Sequence, residues 1–136
     1  MKEEIRKIAE YLYENLGPGH KDKTYRDAIA LELQDKGYTV KTESPSSISY
    51  TTKDGKTMIV GSEKVDICAY KNGEYSFIEV RSMMSFFNKK KEDTESISYL
   101  KIRKYLASMG LDNGFLINFP FPPMNSVELI ENNGGE

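Results

Sequence analysis

Asp66, Glu79 and Arg81 are the residues whose types and spacing promise chemistry. Both acids lie in one run, Val65-Asp66-Ile67-Cys68-Ala69-Tyr70-Lys71-Asn72-Gly73-Glu74-Tyr75-Ser76-Phe77-Ile78-Glu79-Val80-Arg81, and flank its Asn-Gly dipeptide. Two alternating segments around Asn-Gly signal a β-hairpin, because a two-residue type I′ turn needs φ > 0 at both central positions. With Asn72 and Gly73 at the turn, Lys71 faces Glu74, Ile67 faces Ile78 and Asp66 faces Glu79. Carboxylates placed opposite one another repel, so the pairing predicts a cation between them. Side chains alternate along a strand. Ile67, Ala69, Ile78 and Val80 therefore share one face, and Asp66, Cys68, Phe77, Glu79 and Arg81 share the other. Hard oxygen ligands suit Mg2+ or Mn2+. Spacing alone leaves a second reading open, a partly exposed sheet edge whose acids pair with Arg81 and Lys64.

The elements that must position these residues are legible on either side. Ile5, Ile8, Ala9, Leu12 and Leu16 recur at helical spacing and predict a first helix over residues 3–15, ended by Gly17-Pro18-Gly19. Tyr25, Ala28, Ile29 and Leu33 form the stripe of a second helix over residues 22–36, with Gly37 as its stop. Asp22 lies in the first turn, where the helix dipole favours a negative side chain. Strand character over 38–42 is followed by a loop at Pro45-Ser46-Ser47. Segments 48–52 and 57–60 then flank a turn at Lys53-Asp54-Gly55-Lys56. After the Asn-Gly hairpin, residues 82–95 read as an irregular connection, 97–109 as a third helix, 114–119 as a buried strand broken by prolines, and 127–130 as a last strand. The predicted order is α-α-β-β-β-β-β-α-β-β, a mixed sheet with helices against it in the α/β or α+β class. One domain over 1–131 is expected, with a flexible tail at 132–136.

Composition fits one compact domain: 136 residues, 38% hydrophobic, 29% charged. The net charge of −2 and pI near 5.6 exclude a strong overall positive field, which argues against a purely electrostatic DNA binder. The single cysteine, Cys68, forbids an intrachain disulfide and reads as a small apolar strand residue. Met1-Lys2-Glu3-Glu4 lacks the apolar core of a signal peptide, and no apolar run approaches a membrane span. These features predict an intracellular, cytoplasmic protein in a reducing compartment, without a membrane partner.

An ordered set of motifs resembles a known family. Leu16-Gly17-Pro18-Gly19-His20-Lys21-Asp22-Lys23-Thr24-Tyr25, Val65-Asp66, Ile78-Glu79-Val80-Arg81, Tyr105-Leu106 with Gly110, and Gly114-Phe115-Leu116-Ile117-Asn118-Phe119 look like the GxxExxY family of the PD-(D/E)XK nuclease-like superfamily. The resemblance spans residues 5–130. It implies a restriction-endonuclease-like mixed central sheet flanked by helices. By this likeness Asp22 takes the place of the family glutamate, Asp66 matches the superfamily aspartate, and Glu79 matches the acid of the E-x-K element. Arg81 stands where that element has lysine, and Lys101 falls near a glutamine of the third helix. The family therefore implies catalytic roles for Asp66, Glu79, Arg81, Asp22 and Lys101. It also implies a Mg2+ or Mn2+ ion on Asp66, Glu79 and the Val80 carbonyl, with Asp22 contributing through water.

The activity so implied is metal-assisted phosphodiester hydrolysis in DNA or RNA, with Arg81 and Lys101 offsetting transition-state charge. The alternative is a catalytically degenerate member serving as a nucleic-acid-binding or assembly module. Retained acids at 66 and 79 favour the first. Arginine at 81 favours the second, because a guanidinium stays protonated. Tyr25 and His20 read as a core aromatic and a solvated loop residue, and Lys89-Lys90-Lys91 as part of a mixed-charge loop. Met83, Met84, Phe86 and Phe87 mark a surface for a homodimer or protein partner if exposed together.

Overall fold

A computed structural model describes residues 2–85 and 114–132. The expected third helix, Lys89-Lys90-Lys91, Phe86, Phe87 and Lys101 lie outside the described residues. Two helices, α1 (Lys2–Leu16) and α2 (Asp22–Asp35), precede five strands: β1 (Thr39–Thr51), β2 (Thr57–Lys71), β3 (Glu74–Arg81), β4 (Gly114–Asn118) and β5 (Glu128–Asn132). The strands form one sheet in the order β1-β2-β3-β4-β5. Only β3 and β4 run parallel; the other neighbours are antiparallel. This is a mixed α+β fold of the restriction-endonuclease-like kind. A parallel neighbour requires a crossover connection, and the stretch between β3 and β4 is where the sequence predicts a helix. No helix among the described residues is long and apolar enough to cross a membrane.

Both helices bury the stripes that their periodicity marks. Ile5, Ile8, Ala9 and Leu12 of α1, with Tyr25, Ile29 and Leu33 of α2, pack on Ile67, Ala69, Ile78, Val80, Phe115 and Ile117 of the sheet. Ile67, Ile78 and Ile117 are 0% exposed, and burying each such side chain stabilises by about 1.5–3 kcal/mol. The opposite face carries a smaller cluster of Val65, Phe77 and Leu116, against which Cys68, Met83 and Ile130 pack. Burial pushes the Cys68 thiol above its ordinary pKa, and Lys41 partly opposes that shift. The thiol is therefore held in its unreactive protonated form.

The Asn-Gly turn is as predicted. Asn72 and Gly73 have φ of 53° and 83°, and the ladder pairs Lys71 with Glu74 and Ile67 with Ile78. Gly37, at φ 95°, closes α2: its N–H donates to the Gln34 carbonyl and the next N–H, of Tyr38, to that of Leu33, both at 3.0 Å. The Tyr38 hydroxyl donates to the Glu4 carboxylate, tying α1 to the start of the sheet, while the Lys71 ammonium lies 4.8 Å from the Tyr38 ring centroid.

Three expectations are corrected. Pro45-Ser46-Ser47 is not a loop; β1 runs through it, with Pro45 opposite Lys64. Because β1 is the sheet edge, its outer side has no strand demanding an N–H, and proline is tolerated there. Segments 57–60 and 65–71 are likewise one strand, with a register shift between Ile48 and Ser49. The β1–β2 ladder therefore continues well past β3, which pairs with β2 only from Ile67 to Lys71. Residues 44–51 and 57–64 form a two-stranded ribbon carrying the exposed side chains of Tyr50, Met58, Ile59 and Val60. At the other edge, β5 extends to Asn132, two residues past the expected strand.

Two outcomes test this account. Gly73→Ala meets no atom within 4 Å of the new Cβ, so its cost is conformational alone, about 1–2 kcal/mol in urea denaturation. Burial first, and the Glu4 carboxylate second, push the Tyr38 hydroxyl up to about 12. A folded pKa raised above the unfolded value near 10 means full stabilisation below about pH 10, lost as pH rises towards 12. Wild-type stability should thus fall more steeply over that window than that of Tyr38→Phe.

Candidate metal and phosphate site

The site begins with a fault in the sheet. The β2–β3 ladder stops at Ile67–Ile78, one step short of the expected Asp66–Glu79 pair. On its other flank, β2 pairs Ile67 with Thr42 and Val65 with Ser44, but the ladder is interrupted between them, where Glu43 sits at φ 53°. A glutamate in the left-handed region is uncommon and costs about 1–2 kcal/mol. The alternation of faces breaks at the same place: Ile67 and Ala69 pack under the helices, whereas Val65 packs on the opposite side.

Side chains take over the lost backbone bonds. The Asp66 N–H donates to Glu79 Oε1 at 2.9 Å, and the Val80 N–H donates to Asp66 Oδ2 at 2.8 Å. Each acid thus satisfies a buried backbone donor on the neighbouring strand. This satisfaction is obligatory, because an unpaired buried N–H is expensive.

Arg81 completes the cluster. Its Nη2 lies 3.0 Å from Glu79 Oε2, and its Nη1 lies 3.4 Å from Asp66 Oδ2. The same Nη1 donates to the Val80 carbonyl at 2.8 Å. Glu79 is fully buried, while the side chains of Asp66 and Arg81 are 23% and 22% exposed. A cation does lie between the acids, and it is the guanidinium of this chain. This is the arrangement that the second reading of the sequence, acids paired with Arg81, describes. Among the described residues Arg81, and not Lys64, supplies the ion pairs.

The donor set nevertheless fits a hard divalent cation. Asp66, Glu79 and the Val80 carbonyl offer oxygen ligands to one small region, which the guanidinium marks by touching all three. Asp66 Oδ1 accepts no hydrogen bond among the described residues. Asp22 is exposed at the start of α2 and makes no hydrogen bond or ion pair with Asp66, Glu79 or Arg81 among the described residues. Among the described residues no three His, Cys, Asp or Glu side chains are grouped to hold one ion. His20 Nε2 instead lies 2.8 Å from the Leu16 carbonyl. Tyr25 is buried, stacked on Phe119 at 4.1 Å, with its hydroxyl donating to the Gly17 carbonyl at 2.5 Å. Burial raises its pKa, in keeping with a core role. Met83 is packed while Met84 is exposed, so the described part of the 83–87 stretch is not a continuous apolar patch.

Sequence reasoning missed the residues that hold the chain just beyond Arg81. Asn118 is fully buried. Its Oδ1 accepts from the Met83 N–H at 3.1 Å, and its Nδ2 donates to Glu128 Oε1 at 2.9 Å. The Ser85 hydroxyl donates to the other Glu128 oxygen. The Phe119 N–H donates to the Arg81 carbonyl at 2.9 Å. β4 and β5 thus pin the exit of β3. Arg26 was also missed. It is buried in α2 and paired with Asp27 at 2.9 Å and Glu43 at 3.2 Å, so it braces the residue opposite Asp66. Burial opposes its charge, but these acids outweigh burial and raise its pKa. The advance signal for Asn118 and Glu128 was a polar residue beside apolar ones; Arg26, between Tyr25 and Asp27, gave none.

A mixed sheet carrying Asp66 on one strand and Glu79-x-Arg81 on the next is the arrangement that the resemblance implies, with Arg81 in the place of its lysine. A family model described as the PD-(D/E)XK nuclease superfamily matches residues 1–130, and the chain belongs to that superfamily. No curated protein and no solved structure matches it.

Asn118→Ala should cost about 2–4 kcal/mol in urea denaturation, because it removes four side-chain hydrogen bonds and leaves the Met83 N–H without its acceptor. A loss under 0.5 kcal/mol, roughly the scale of a neutral surface change, would remove the network from this account.

Proposed function

We propose that the chain is a Mg2+- or Mn2+-dependent nuclease that hydrolyses phosphodiester bonds in DNA or RNA, and that it is of the GxxExxY type. The observation that carries this reading is the convergence of Asp66, Glu79 and the Val80 carbonyl on one cation position, in a chain of the nuclease superfamily. These three would hold the ion. When bound, such an ion lowers the pKa of an attacking water and polarises the phosphate.

The remaining chemistry falls to side chains of the chain itself. Arg81 offers a planar fork that matches two phosphate oxygens and stabilises developing negative charge. It does not accept a proton, so its role is electrostatic. Lys101 is the candidate second cationic group, and Asp22 the candidate outer acid, on the family resemblance. The lone, protonated Cys68 suits a reducing, cytoplasmic setting. A homodimer or protein partner at the 83–87 stretch is a further part of the proposal, to which the described residues contribute Met84 as the exposed apolar side chain.

A second reading is favoured by one specific observation. The guanidinium already pairs with both acids, as it would in a non-catalytic module that needs no ion. Cleavage of labelled single- and double-stranded DNA and RNA with Mg2+ or Mn2+ separates the two. Wild type should cut at least one substrate, and Asp66→Asn should lower that rate about a hundredfold or more. Wild type that cuts none of them, with Mn2+ affinity equal to that of Asp66→Asn, would establish the module.

A further inference from the structure

We infer that Arg81 is an exchangeable internal cation: its guanidinium and a divalent ion compete for the same oxygens, so the ion enters only when Arg81 leaves. The inference rests on the metal-dependent reading above and adds the rule by which the ion is admitted. The two terminal nitrogens touch one oxygen from each donor of the set, Glu79 Oε2 at 3.0 Å, Asp66 Oδ2 at 3.4 Å and the Val80 carbonyl at 2.8 Å. A magnesium ion holds its ligands at about 2.0–2.1 Å. Ion and guanidinium therefore cannot occupy this region together, for reasons of both volume and like charge.

Exchange is favourable in one direction and guarded in the other. A divalent ion neutralises both carboxylates, whereas one guanidinium carries a single charge. Without the ion, departure of Arg81 strips fully buried Glu79 of a charged partner, and breaking such a pair is strongly destabilising. Arg81 thus keeps the acids compensated until a better cation arrives. Its side chain is partly exposed, so on release the fork is available to a phosphate group. A lysine at this position would present one ammonium and could not span the three oxygens with a fork. The competition is thus a property of the arginine.

Binding of Mn2+ alone, followed by calorimetry and by the electron paramagnetic resonance signal of free ion, tests this without any assay of activity. Arg81→Gln should bind Mn2+ about tenfold or more tightly than wild type, the factor expected from removing competing charge-assisted hydrogen bonds. Arg81→Lys should fall between them, and it carries the test if the glutamine variant does not fold. Asp66→Asn should abolish binding. In thermal unfolding, Arg81→Gln should melt below wild type without metal and recover with Mn2+. If Arg81→Gln and Arg81→Lys bind no more tightly than wild type while Asp66→Asn abolishes binding, the competition is overturned and the metal-dependent reading stands. If no variant binds Mn2+, that reading fails and the competition fails with it.

Discussion

The interruption of the β2–β3 ladder at Asp66 is the constraint on which the site depends. A regular antiparallel sheet would have paired the backbones of Asp66 and Glu79 and left their carboxylates to repel across the strand gap. Instead, pairing ends one step earlier, and each carboxylate accepts the N–H of the opposing strand. The acids thereby acquire a structural duty. They replace ladder bonds, and that duty holds their oxygens in a fixed, converging arrangement next to the Val80 carbonyl. The proposed function and the fold thus draw on the same two carboxylates.

The surroundings explain how such a fault is tolerated. On one flank, Glu43 adopts a left-handed conformation and is held by Arg26. On the other, Asn118 and Glu128 fasten the segment that follows Arg81. Beneath, the helix-packed core is continuous from Ile67 across Ile78 to Ile117. A local defect of a few kcal/mol is thus embedded in a frame stiff enough to keep it, as is common where strain accompanies function.

Much of this frame was legible in the sequence, and the failures have physical causes. Both helices follow from apolar spacing, and the hairpin register follows from Asn72-Gly73, because these signals are local. Pro45 misled because proline is forbidden only in the interior of a sheet, and edge position is a property of topology. The sequence register brought Asp66 and Glu79 together correctly but gave no sign that side chains would displace the ladder between them. Arg81 was read as a group beside the cation position, whereas it spans that position. Three atoms from three residues define that geometry, and spacing along a chain does not encode it. Asn118 and Glu128 were invisible for the same reason, since their partners are brought together only by the sheet.

The ribbon formed by residues 44–51 and 57–64 is held differently from the rest of the sheet. Among the described residues its strands pair only with each other, and large apolar side chains such as Ile59, at 69% exposure, contribute little burial. A two-stranded ribbon of this kind is marginal on its own. Its amides would therefore exchange with solvent through local fraying that leaves the helix-covered strands intact. Such fraying, starting at the Thr52–Lys56 turn, would die out near Glu43 and Asp66, so the boundary between the labile and the persistent halves of β2 runs through the acidic pair itself.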